Sequence, residues 1–122
     1  MRSYVIAVVA LLAFPASAQE PDVNEFRAVL DAAFGKMAVA YLCRDEIGIS
    51  HYQAARIGAE GAAIQIGMPR DEAVLAVDKM DKKFKADTRT ENPKADAGSC
   101  FGKLNEFSHE LDVAIAKVRT GK

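Results

Sequence analysis

Apolar residues recur along most of the chain at the spacing of a helix. Val23, Phe26, Leu30, Phe34, Met37 and Tyr41 follow one another at steps of three or four, which puts them on one face of a 3.6-residue spiral. Asp22 ahead of Glu25 forms a capping pair at the start. Gly48 can adopt the left-handed conformation that closes a helix, so this first helix is expected to end between Cys43 and Gly48. Ser50 and Gln53 then stand as caps for a second helix over about 50–66. Its Ala54, Gly58 and Ala62 share one stripe and Ala55, Ala59 and Ala63 share another. Small residues at that spacing let a neighbouring helix approach closely. Gly58, Gly61 and Gly67 lower its intrinsic stability, by about 1 kcal/mol each at an interior position relative to Ala, so packing must hold it.

Gly67-Met68-Pro69 reads as a stop followed by a start. In the third helix Val74, Val77, Met80 or Asp81, and Phe84 give the inner face. Asp71 and Glu72 sit at its positive end, and Lys79, Lys82, Lys83 and Lys85 crowd towards its negative end. The stretch 87–99, with Asn92-Pro93 and Gly98-Ser99, has no apolar period and reads as the longest connection. From Ser99 a fourth helix carries Cys100, Leu104, Phe107, Leu111, Ala114 and Val118 on one stripe, with Lys117 and Arg119 in its last turn. No strand period and no internal repeat competes. The expected fold is all-α, an up-down four-helix bundle.

Two cysteines sharpen that expectation. Cys43 falls at the end of the first helix and Cys100 at the start of the fourth, and an up-down-up-down order brings those ends to one pole. A Cys43–Cys100 disulfide and the topology therefore predict each other. The pairing needs an oxidising compartment, and the N-terminus supplies one. Arg2, the apolar run from Tyr4 to Phe14, and Ala16-Ser17-Ala18 after Pro15 read as a secretory signal cut after Ala18. A membrane anchor is the rival reading, but eleven apolar residues reach about 16 Å as a helix, roughly half a bilayer core. Residues 1–18 are thus a signal peptide and 19–122 one helical domain of 104 residues, periplasmic or otherwise secreted, with no stable membrane insertion.

Composition narrows the function more by exclusion than by signature. The chain is 122 residues, 50% hydrophobic and 27% charged, with 16 Lys plus Arg against 17 Asp plus Glu. That balance disfavours disorder and a nucleic-acid binder alike. No C-x-x-C, nucleophile elbow or fixed metal spacing is present. Cys43, Asp45, Glu46 and His51 are the densest set of potential ligands, but an oxidised Cys43 cannot bind metal and the remainder reads as a solvated turn. His51 and His109 each follow a serine, an adjacency that does not present the hydroxyl to the imidazole on a helix. No catalytic residue, metal site or cofactor is expected.

Two features point to binding. Residues 37–43, Met-Ala-Val-Ala-Tyr-Leu-Cys, carry no charge on any side, so Met37, Val39, Tyr41 and Leu42 are either covered by the rest of the fold or form a patch that a partner or a second copy buries. Lys79, Lys82, Lys83 and Lys85 either complement the helix dipole or dock an acidic partner. Pro69-Arg70-Asp71-Glu72-Ala73-Val74-Leu75, with the paired cysteines of a small exported helical chain, resembles periplasmic acid-stress chaperones of the HdeA type. The segment around Cys43 departs from that family's pattern. The resemblance implies an acid-released chaperone.

The primary expectation is an exported, non-enzymatic protein-binding domain, an accessory or interaction subunit whose partner is another exported protein or itself. An HdeA-like stress chaperone and a small-ligand or metal carrier are the alternatives, and an enzyme comes last. The long amphipathic stripes and single disulfide favour the subunit, because they describe a domain built to stay folded. Intact mass of protein recovered from its own oxidising compartment is expected to start at Gln19, with no titratable thiol after denaturation. Two titratable thiols would remove both the bridge and the pole it defines.

Overall fold

The computed structural model describes residues 23–87 and 96–120; the expected signal peptide lies outside them. Among the described residues all regular structure is helical: α1 (Val23–Leu42), α2 (Arg44–Ile47), α3 (Ile49–Gln65), α4 (Arg70–Ala86) and α5 (Ala97–Thr120). The four expected helices are all present, and α2 is an additional single turn inside the first connection. Gly48, at φ 94°, closes α2 with its N–H on the Arg44 carbonyl at 3.0 Å. Gly67, at φ 109°, closes α3 in the same left-handed region, where a residue with a Cβ is strained. Ser50 does not cap α3, which starts one residue earlier with Gly48 in the capping position and no side-chain bond. The last helix likewise starts before Ser99. Asp96 caps it by accepting the Ser99 N–H at 2.8 Å, and so organises a first turn that the sequence pattern missed.

α1 is the hub. α5 and α3 pack along it, α4 packs chiefly on α3 and touches α1 more lightly, and no extensive seam joins α4 to α5 among the described residues. Contacts across each seam run in opposite order along the two helices. Cys43, just after α1, and Gly35 within it meet Cys100 and Phe107 of α5, while Tyr52 and Arg56 of α3 meet Asp81 and Asp78 of α4. The Cys43–Cys100 disulfide is formed, with an S–S length of 2.01 Å and a Cα–Cα distance of 6.0 Å.

A helix packed on two sides buries two stripes. Val29, Ala32, Ala33, Met37, Ala40 and Tyr41 of α1 are buried, whereas Phe26, Leu30 and Phe34 of the expected single stripe are half-buried between neighbours and Val23 is 68% exposed. In α3 the Ala55, Ala59, Ala62, Ala63 side faces inward, and Ala54 and Gly58 face solvent. Half of the buried apolar residues are therefore alanine. Met37, Val29, Val77 and Cys100 are the largest side chains that are fully buried. Each methylene contributes about 0.8 kcal/mol when buried, so a core of methyl groups gives less per residue than one of leucines. Closing a loop across 57 positions of sequence adds roughly 4 kcal/mol in the chain-entropy model, a large share of a typical net stability of about 5–15 kcal/mol.

At Gly35 the Phe107 ring of α5 lies close against α1. A Cβ built there would overlap the Phe107 ring, meeting Cδ1 at 2.8 Å, whereas one at Gly58 would meet nothing within 4 Å. Gly35→Ala is expected to destabilise the protein by about 1–2 kcal/mol, because overpacking outweighs the gain in helix propensity. Gly58→Ala is expected to stabilise it by about 0.5–1 kcal/mol. Urea unfolding of both variants checks the contrast, and equal effects of one sign would show that the Gly35–Phe107 approach is not tight.

Candidate functional site

Three places bring chemistry together. The first is a groove of about 520 Å³ between α1 and α5. Ala32 from α1 and Ala114 from α5 are its buried members, exposed Ala28 and half-buried Phe107 also line it, and Val113 is 46% exposed. Its rim carries Asp31 from α1 and His109, Glu110 and Lys117 from α5. Glu110, Val113, Ala114 and Lys117 are spaced i, i+3, i+4 and i+7, so they share one face of α5. That face is a second stripe beside the core stripe. The opposed register set by Cys43–Cys100 and Gly35–Phe107 puts Asp31 and Glu110 at a similar height on opposite walls. Lys117 lies two turns further along, about 10 Å away. The groove thus has an acidic end and a basic end with an apolar middle.

The second place is the α3–α4 seam. The Tyr52 hydroxyl donates to Asp81 Oδ1 at 2.6 Å, and Lys85 Nζ lies 3.0 Å from Asp81 Oδ2. Arg56 bonds Asp78 at 3.0 Å and lies 3.8 Å from Asp81. The sequence left the inner position of α4 open between Met80 and Asp81. The structure buries Asp81 and leaves Met80 half-buried. Burial works against the charged form of Asp81, but the hydrogen bonds from Tyr52 and Lys85 and the charge of Arg56 outweigh it, so the carboxyl is held below its ordinary value. Burial, and then the bond to Asp81, pushes the Tyr52 phenol up. Around this network Tyr41, Tyr52 and Phe84 cluster with ring centroids 5.0–6.5 Å apart. Arg44 covers the other side of the Tyr41 ring, 4.0 Å from its centre.

The third is the bridged pole. The Glu46 carboxylate lies within 4.8 Å of the sulfurs of Cys43 and Cys100, but both sulfurs are used in their mutual bond. His51 sets its ring edge-on to Phe101 at 5.3 Å, away from any ligand set with Asp45 and Glu46. That arrangement packs a turn.

Of the two binding features read from sequence, the uncharged segment lies inside the fold. Met37 and Tyr41 are buried and Val39 and Leu42 half-buried, because α1 has neighbours on most sides. Val39 and Leu42 keep part of their surface open to solvent, whereas Met37 and Tyr41 are enclosed. Lys79, Lys82 and Lys83 are exposed, and Lys85 pairs with Asp81. The structure does not bring the two features together. The groove went unnoticed in the sequence, although Val113, an apolar residue off the α5 core stripe, was its visible sign.

No family model matches the chain, and no curated protein or solved structure matches it significantly. Function therefore has to be argued from the geometry alone.

The Asp81 network carries a pH dependence of definite sign. Between its lowered native value and the ordinary value near 3.9, the unfolded chain binds the proton more readily, so stability falls as pH falls through that window and is complete above it. Asp81→Asn is expected to cost about 1–2 kcal/mol at pH 7, with the gap to wild type closing as pH falls below the ordinary carboxylate value. Urea unfolding at pH 7, 4 and 2.5 measures it. A gap that widens in acid would show that Asp81 is not held as a carboxylate by Tyr52 and Lys85.

Proposed function

We propose that this chain is an exported, non-enzymatic subunit that works by binding protein, in the periplasm or outside the cell, after removal of residues 1–18. The observation that carries the reading is the α1–α5 groove. It is open, apolar along its floor and charged along its rim, and it is held between two helices that a disulfide fixes at one end. That is the form of a surface made to receive another protein's ridge. An up-down order of the four long helices, which the opposed contacts across each seam support, keeps that groove on an outer flank. The exposed lysines of α4 offer a second surface suited to an acidic partner.

The alternative of an HdeA-like stress chaperone has one specific observation in its favour. α4 is seated on α3 through a carboxylate, Asp81, whose contribution acid removes. The subunit reading is preferred because acid acts on the α4 flank, whereas the α1–α5 flank and its groove are stapled covalently.

Two measurements on the mature domain separate these readings. Pull-down from periplasmic extract is expected to give a discrete partner set of fixed stoichiometry, lost on Val113→Asp or on replacing Lys79, Lys82 and Lys83 by Glu. Suppression of aggregation of unrelated proteins is expected to be equally weak at pH 2–3 and at neutral pH. Strong protection confined to acid, at near-stoichiometric amounts, would promote the chaperone and remove the subunit.

A further inference from the structure

Building on the reading of the groove as a protein-docking surface, we infer that its occupant is the α5 helix of a second copy of this chain, in a two-fold symmetric dimer. The charged and apolar groups fall along α5 in a self-complementary order. Glu110 marks the acidic end of the groove, Lys117 the basic end, and Val113 and Ala114 lie midway between them. A two-fold axis through that midpoint lays the partner's α5 antiparallel across the groove. Each Lys117 then meets the other copy's Glu110, with Asp31 on the facing wall, and each Val113 rests over the other copy's Ala114. A closed dimer requires a self-complementary surface of this kind.

The fit is steric as well as electrostatic. The buried members of the groove are alanines, which leaves depth for an incoming valine, and Val113 is a large apolar residue left exposed in the middle of the stripe. A basic partner helix would satisfy Asp31 and Glu110 but would oppose Lys117, and an acidic one would do the reverse. A helix with both signs at this spacing satisfies all three, and α5 is such a helix. Pairing two α1–α5 hairpins along α5 also leaves the α4 lysines of both copies outside the interface, open to the accessory partner.

The test is the molar mass of the mature, oxidised protein by light scattering and sedimentation over a range of concentrations. The expected result is a reversible dimer. Val113→Asp and Lys117→Glu are each expected to weaken it by about tenfold or more in Kd, with the far-ultraviolet dichroism and urea midpoint of each variant close to wild type. Photo-cross-linking separates this inference from the reading beneath it. A photoreactive residue at position 113 should capture a second copy, while one at position 57 on α3 should not. A protein that stays monomeric at all concentrations, yet cross-links from position 113 to a different protein, overturns the dimer and leaves the groove as a docking surface. A monomer with no cross-link from position 113 overturns both, and a dimer indifferent to both substitutions overturns the interface named here.

Discussion

The bond between Cys43 and Cys100 is the constraint on which the remaining architecture leans. It joins the residue that follows α1 to the first turn of α5, with 6.0 Å between the two Cα atoms. Because α1 is also the helix that α3 packs on, fixing α5 to it secures one of the two largest seams at the hub they share. The core itself could not do this as firmly. Half of its buried apolar positions are alanine, and among the larger side chains Met37, Val29 and Val77 are the most fully enclosed. A small core limits how much burial can offset chain entropy, so a covalent closure of a long loop has unusual weight here.

The two flanks of the hub are secured in different ways. On the α5 side the attachment is covalent at one pole and steric along the seam, where Phe107 lies against the backbone at Gly35. On the far side, α4 is held through its buried Asp81 by Tyr52 and Arg56 of α3, with Lys85 of α4 completing the network, together with the aromatic cluster of Tyr41, Tyr52 and Phe84. A polar network of this kind depends on every member being in its charged or hydrogen-bonding state. The covalent bond on the first flank has no proton to gain, whereas the Asp81 carboxylate on the second loses its contribution when it is protonated.

Much of the fold could be read from the pattern of apolar residues. The four long helices, the Gly48 and Gly67 breaks and the Cys43–Cys100 pairing all followed from local chemistry, because each depends on residues close in sequence or on one geometric inference about helix ends. What could not be read was how many neighbours each helix has. A stripe of period 3.6 points to one buried face, and α1, packed on two, buries Val29, Ala32 and Ala40 as well. The same ambiguity left Met80 and Asp81 as rivals on α4. A carboxylate is a costly residue to bury until a partner is known, and that partner, Tyr52, lies 29 positions away. The groove was illegible for a related reason. Its buried members are alanine, and alanine at a helical spacing looks the same whether another helix covers it or nothing does.

That last ambiguity bears on why the groove exists. Ala28, Ala32 and Ala114 keep the surface between α1 and α5 low where larger apolar residues would stand proud of it. The chain leaves about 520 Å³ unfilled there, beside an exposed Val113, with opposite charges at the two ends. Stability within the single chain gives no reason for that combination, since each element of it forgoes burial. Packing against an external helix gives a reason for all of them together. Small floor residues allow close approach, the valine is a knob rather than an unburied remnant, and the separated charges set the direction in which the incoming helix must run.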